Sequence, residues 1–353
     1  MTDSQPARVL HVVKSLGIGG TEKAAQLLAV HLDRSRFTPF VYSSADGERR
    51  EQLKAAGIPV IAGGDLFTAL ERLKPDLVHI HRAGWPEPEL LRPVKRFGPR
   101  AVVETNVFGR FDDTPLGALI DMHLFVSHFC LDRLVEHLGP RLDLTRCRVL
   151  YNPVDTDLFR RLASDRDFSR PLAARLSRPD PGKWSRLAFD SLPILKKLEP
   201  GFILRVIGAT PEFEAFVRDQ GLAGNVEILP PVALDQDLAA FFGQATLLAH
   251  SNDTGESFGM AIAEAMASGL PVVTHRASGE RDNAQLELVE HGVTGLVADT
   301  AEDYAQAMAW LWRNPDAARR MGEAGREKAA RLYRVQVVTR QLEEIYSRLL
   351  GLS

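Results

Sequence analysis

The sequence predicts an α/β protein built as two domains, each a parallel sheet flanked by helices, and three observations carry that expectation. At 353 residues the chain holds two domains of about 150 residues each. Short apolar strand-like runs alternate with amphipathic helix-like segments along almost the whole length. Between two such series lies an arginine-rich stretch, residues 160–186, broken by Pro171, Pro179, Pro181 and Gly182, and a polar, turn-rich stretch of this kind is where domains join.

Taken in order, Val9–Val13 reads as a buried strand, followed by the glycine-rich loop Lys14-Ser-Leu-Gly-Ile-Gly-Gly-Thr-Glu22 and a helix from Lys23 to Leu32. Such a loop lets backbone approach a phosphate closely. It is not the dinucleotide fingerprint, because Glu22 stands where that pattern needs its third glycine. Strands at 38–43, 58–62, 77–81 and 101–104 then alternate with helices at 48–56, 66–73 and 87–97. In Leu77-Val-His-Ile-His81 the two histidines share one face, since side chains two apart in a strand point the same way. A zinc site would need further ligands, and no cysteine or carboxylate has the spacing; no metal is expected. Arg92, Lys95, Arg96 and Arg100 read as a solvated helix face, with peripheral contact to anionic lipid as the alternative. Strands follow at 124–126 and 148–151, the second closed by Pro153, which has no N–H to donate.

After the linker the alternation resumes, and its centre is Glu256-Ser-Phe-Gly-Met-Ala-Ile-Ala-Glu264. The run Ala245–His250 reads as a buried strand, Ser251–Gly255 as a turn, and Phe258–Ser268 as a helix stopped by Gly269 and Pro271. Two carboxylates eight residues apart do not pair on one helix, because eight steps of about 100° leave them offset by roughly 80°. The amides of Phe258, Gly259 and Met260 would lie between them at the positive end of the helix, where a phosphate is favoured. A ligand with a central diphosphate and a hydroxylated ring at each end matches those three features, and a nucleotide-sugar is one. The plainer alternative makes Glu256 a helix-start carboxylate and Glu264 a solvated residue. The three Asp-x-Asp pairs, 155/157, 165/167 and 235/237, read as caps and turns.

Composition excludes several classes. Charged residues are 25% of the chain and the net charge is -3, so no basic field recruits nucleic acid. The two cysteines, Cys130 and Cys147, are too few for a disulfide framework, so a reduced, cytoplasmic chain is expected. No run approaches the 18 to 20 apolar residues that span a bilayer, and the first residues lack the features of a signal peptide. Membrane contact is expected to be peripheral at most.

With these residues in view, the chain resembles the family-four retaining glycosyltransferases of GT-B fold. The resemblance rests on Gly19-Gly-Thr-Glu22, Val126-Ser127, Asn152-Pro-Val-Asp155 with Phe159, Arg178 with Lys183, Val206-Ile-Gly208, Glu256-x7-Glu264, Gly269-Leu-Pro-Val-Val273 and Gly292-Val-Thr-Gly295. It implies two Rossmann-like domains with parallel sheets facing a central cleft: residues 1–165 on the acceptor side, 166–330 on the donor side, and a final helix, 331–353, crossing back. It implies transfer of a hexose-type sugar from a nucleotide-diphosphate donor to an acceptor hydroxyl, with retention, no metal and no cofactor. By position, Glu256, Arg178 and Lys183 would be catalytic. Glu264, Phe258, Gly259, Met260, Gly19 and Gly20 would hold the donor. His79, His81 and Asn106 would face the acceptor, a glycan, a lipid-linked molecule or a small molecule. Asn106 stands where many members have histidine, Pro230 replaces the usual glycine, Asn152-Pro153 replaces Asn-Gly, and Ser278–Glu290 is longer and more acidic than usual. A donor-binding protein without transfer activity and an epimerase of the same fold are the competing readings.

Overall fold

A computed structural model describes residues 5–163 and 166–352. The chain divides into two compact units, one formed by residues 1–153 and 335–353, the other by 154–334.

In the first unit the order is β1 (Ala7–Val13), α1 (Gly20–His31), β2 (Phe37–Ser43), α2 (Arg49–Ala55), β3 (Val60–Ala62), α3 (Leu66–Leu73), β4 (Leu77–Arg82), α4 (Pro88–Phe97), β5 (Ala101–Asn106), β6 (Met122–Phe125), α5 (His128–Leu138) and β7 (Cys147–Val149). All seven strands are parallel, in the order β3-β2-β1-β4-β5-β6-β7. The order reverses between β1 and β4, so their carboxyl ends flank the crevice where doubly wound sheets bind ligands. Val9, Leu77, Val103 and Leu124 line one face of the sheet, against Leu28 of α1, Leu32 just after it, and Val338, Leu342 and Tyr346 of the chain's last helix. Leu10, Val78, Ile80 and Val102 line the other, against α3 and α4. Burial on both faces explains why these strands show no clean apolar–polar alternation and carry apolar residues at neighbouring positions.

The second unit contains α6 (Thr156–Arg161), β8 (Leu172–Leu176), α7 (Arg186–Leu198), β9 (Ile203–Ile207), α8 (Pro211–Asp219), β10 (Val226–Leu229), α9 (Asp235–Gln244), β11 (Leu247–Ala249), β12 (Gly255–Glu256), α10 (Met260–Ala267), β13 (Val272–Thr274), β14 (Asp282–Asn283), α11 (Gln285–Leu288), β15 (Gly295–Val297), α12 (Ala301–Arg313) and α13 (Pro315–Leu332). Its parallel sheet runs β10-β9-β8-β11-β13-β15 and reverses between β8 and β11; β12 and β14 pair separately. The last helix, α14 (Val335–Leu350), packs on α1 in the first unit.

Two expectations are corrected here. The stretch read as linker contains β8, a central strand of the second sheet; Arg175 interrupts its apolar pattern, and the sequence reads as polar although the guanidinium is buried. The division also falls after Pro153 and not near 165. Phe159 on α6 packs its ring 6.3 Å from Phe242 on α9, so this helix belongs to the core of the second unit. Asp165, in one of the Asp-x-Asp pairs, lies outside the described residues. The other two pairs are helix starts: the Asp155 carboxylate caps α6 by accepting from the Leu158 amide at 3.0 Å, and Asp235 and Asp237 lie in the first turn of α9.

Candidate active site

The second unit gathers its polar residues just beyond the carboxyl ends of β8 and β11. From β11 the chain passes through His250, Ser251 and Asn252, all buried, and reaches Glu256 on β12. That two-residue strand is held parallel to Asp282–Asn283. Gly255 has φ 68, a backbone conformation natural to glycine, and any side chain there would run into the Asp282 carbonyl oxygen. The Glu256 backbone is fixed from both sides: its N–H donates to the Gln285 side-chain oxygen at 3.1 Å, and its carbonyl accepts from the Ala284 amide at 2.8 Å.

Three side chains converge on the Glu256 carboxylate. The Lys183 Nζ lies 3.1 and 3.2 Å from its two oxygens, Asn252 Nδ2 donates at 2.7 Å, and His250 Nε2 lies at 3.3 Å. Burial pushes the carboxyl up, but the His250 hydrogen bond and the Lys183 charge outweigh it and hold the group at about 2. Glu256 is therefore a carboxylate at neutral pH and only accepts hydrogen bonds. Burial lowers His250, so its imidazole is neutral. It donates from Nε2 to Glu256 and accepts at Nδ1 from the Thr274 hydroxyl, 3.2 Å away.

Lys183 reaches Glu256 because its loop is tied down. The Gly182 carbonyl accepts from the Asp253 and Thr254 amides, each at 3.1 Å, and Asp180 accepts from the Gly182 amide at 2.9 Å. Arg175, at the end of β8, completes the tie. Its guanidinium donates to the carbonyls of Ser251 at 2.6 Å and Lys183 at 2.8 Å and stacks 4.0 Å from the centre of the Trp184 ring. Burial pulls it down to about 10, leaving it protonated at neutral pH. Sequence reading missed this residue; the available signal was a lone arginine inside an otherwise apolar strand. Arg178, which the sequence grouped with Lys183, is exposed, with its nearest carboxylate at Asp180, 3.9 Å away.

Gly259, with φ 104, precedes α10. The helix thus starts two residues later than the sequence pattern indicated, and the opening amides have no acceptor within the helix. Phe258 turns inward, edge-on to the Tyr333 ring at 5.3 Å, so its side chain anchors the helix start. Glu264 is only 2% exposed, which excludes the solvated alternative.

In the first unit, Gly19 caps α1 and Gly20 is its first residue, with the Ser15 hydroxyl donating to Glu22 at 2.9 Å. His79 and His81 lie on β4 and are joined by His11 from β1, a third imidazole that sequence spacing did not reveal. One nitrogen from each lies within 4.8 Å of the others, a separation a metal could span. Both nitrogens of His79 are already engaged, by Tyr346 Oη at 2.5 Å and Thr105 Oγ1 at 2.8 Å, which ties α14 to the sheet. Burial lowers all three, His11 to about 3. Asn106 is 1% exposed and clamps the Arg110 backbone, donating to its carbonyl at 2.6 Å and accepting from its amide at 3.2 Å. Beside it, Arg82 binds Glu104 at 2.5 Å and Asp112 at 3.1 Å. The three residues expected to face an acceptor are thus interior, held by the fold.

Residues 169–328 match the family model described as glycosyl transferases group 1. The chain is 28% identical over 284 residues to a Mycobacterium tuberculosis GDP-mannose-dependent alpha-(1-6)-phosphatidylinositol monomannoside mannosyltransferase, covering 75% of this chain and 67% of that protein. Among solved structures, a glycosyltransferase from Rickettsia africae superposes with a TM-score of 0.82 at 17% identity, over 99% of this chain and 100% of its own. HepE of Anabaena, solved in complex with UDP-glucose, gives 0.78 at 20% identity, over 97% and 99%. Fold, family match and relatives define the class: this is a glycosyltransferase of GT-B architecture. No helix among the described residues is long and apolar enough to cross a membrane.

Proposed function

We propose that the chain is a metal-independent retaining glycosyltransferase that moves a hexose from a nucleotide-diphosphate donor to an acceptor hydroxyl. One observation carries the reading: Glu256 is held as an anion by Lys183, Asn252 and His250 directly ahead of the uncapped start of α10. A mannosyltransferase named for GDP-mannose and a fold relative solved with UDP-glucose support a donor of this class.

In this reading the donor diphosphate docks on the amides of Gly259 and Met260, where unpaired N–H groups and the helix dipole favour negative charge. The Lys183 ammonium has three N–H donors; two are directed at Glu256 and the third serves the phosphate. Glu256 accepts hydrogen bonds from sugar hydroxyls, and Glu264 holds the ribose. The bond from the anomeric carbon to the phosphate oxygen breaks, leaving negative charge on the diphosphate and positive charge on the ring. Fixed cations and amides lower that barrier. The acceptor hydroxyl bonds to the anomeric carbon from the face the diphosphate leaves, and its proton passes to the departing phosphate oxygen, so no separate base is required.

The test is Glu256→Ala, which should abolish transfer with melting temperature and circular dichroism close to those of the parent chain. A variant that retained full transfer would remove the proposal.

A further inference from the structure

His79, His81 and Asn106 are buried, and exposed side chains at the same end of the sheet offer an acceptor a second set of contacts. Three exposed large apolar side chains, Ile18, Trp85 and Phe108, lie in the loops that follow β1, β4 and β5. These strands are adjacent in the sheet. Trp85 is 51% and Phe108 43% exposed, an arrangement the core does not need and water disfavours.

Both loops are held rigidly. The Arg82 guanidinium donates to the Trp85 carbonyl at 2.6 Å, and the Arg82 carbonyl accepts from the Val107 amide at 2.9 Å. Gly84, with φ 92, lies so close to the Asn106 amide and the Arg110 carbonyl that a side chain there would force them apart. The Phe108 carbonyl accepts from Arg133. The buried Arg82–Glu104–Asp112 network and the Asn106 clamp thus fix the backbone that carries both aromatic side chains, which lowers the ordering cost of binding.

The groups around the rings indicate the ligand. The Arg110 guanidinium sits 5.1 Å from the Trp85 ring centre. Glu87, two residues on at the start of α4, is half-buried, and its burial raises its carboxyl while the Arg82 and Lys14 charges pull it down. Asp113 is exposed on the following loop. An acyl chain would find charged groups of both signs at this rim, and an anionic membrane would meet carboxylates. A sugar ring has the matching chemistry, with a C–H face for an indole and a rim of hydroxyls for carboxylate and guanidinium partners. Of the nearby cations on α4, Arg92 pairs with Glu89 and Arg96 lies 3.9 Å over the Phe67 ring, while Lys95 is exposed, so the vesicle arm of the experiment below separates a lipid surface from a saccharide.

We infer that Trp85 and Phe108 form the stacking platform of an acceptor subsite for a neutral saccharide, with Arg110 and Glu87 binding its hydroxyls. This rests on the transferase reading for its role, and its binding test stands apart from that reading.

The experiment uses the full chain and its Trp85→Ala, Trp85→Phe and Phe108→Ala variants. Saturation-transfer NMR with a panel of neutral mono- to trisaccharides measures saccharide binding. Thermal shift with UDP-glucose and GDP-mannose measures donor binding, and flotation with phosphatidylcholine–phosphatidylglycerol vesicles measures lipid binding. Saccharide affinity should fall roughly tenfold on loss of the indole and be restored in part by Trp85→Phe, with the donor shift unchanged. Equal saccharide binding in all variants, no saccharide binding by the parent chain, or Trp85-dependent binding to vesicles alone would overturn the inference. Trp85-dependent saccharide binding without any donor shift would remove the donor reading and leave the platform standing.

Discussion

The Lys183 ammonium lies 3.1 Å from the Glu256 carboxylate, and the two residues come from loops after different strands, β8 and β11. Their side chains are 23% and 19% exposed, so the pair sits at a boundary that a ligand can reach. Lys183→Ala should lower transfer about 10² to 10³-fold if, as proposed, its ammonium faces the developing phosphate charge. Steady-state kinetics with varied donor checks this; a change confined to a few-fold would show that the pair is structural.

The depressed Glu256 carboxyl predicts a pH effect of definite sign. Its folded-state value of about 2 lies below the ordinary 4.5, so its contribution to stability is complete above 4.5 and is lost as pH falls toward 2. Glu256→Gln should flatten the fall in melting temperature over that window. In His250→Phe, which removes the N–H donor, the acid limb of the transfer rate should move to higher pH. Unchanged profiles in both variants would contradict the assignment of these contacts.

Gly259→Ala should destabilise the protein by about 1 to 2 kcal/mol, the cost of placing a side chain in the left-handed region. The added Cβ would also come 3.1 Å from Ile262 Cδ1. Donor affinity should fall with it, because the same residue aims the first amides of α10. Chemical denaturation and donor calorimetry separate the two effects.

Arg175→Met should leave the Ser251 and Lys183 carbonyls without their donors, at about 1 to 3 kcal/mol for each buried group. It should also lower kcat by loosening the tie between the loops that carry Lys183 and Glu256. Equilibrium unfolding and kinetics on one preparation check the prediction, and Arg175→Lys should recover only part of either loss because it cannot reach two carbonyls in a fork.

The two-unit α/β architecture was legible because strands buried on both faces leave short, mostly apolar runs, as in Val9–Val13 and Leu77–His81, each broken only by buried histidine. The turn before α10 was legible for a similar reason, since Gly255, Gly259 and Gly269 punctuate an Ala- and Met-rich segment. What escaped was long-range. The apolar strand around Arg175 was the one local sign of its burial, while the partners that hold it, the Lys183 carbonyl and Trp184 ring across a loop and the Ser251 carbonyl 76 residues on, come together only in the fold. His11 joins His79 only through strand register. Asn106 resembled a binding residue, yet its amide is spent on the backbone four residues ahead.

The central claim is that a diphosphate rests on the amides opening α10 while Glu256 grips the sugar. A crystal structure with UDP-glucose or GDP-mannose tests it most directly. Phosphate oxygens should lie within hydrogen-bond distance of the Gly259 and Met260 nitrogens, and hexose hydroxyls on the Glu256 carboxylate. A donor bound elsewhere, with Glu256 still enclosed by Lys183 and Asn252 and touching no part of it, would contradict the account.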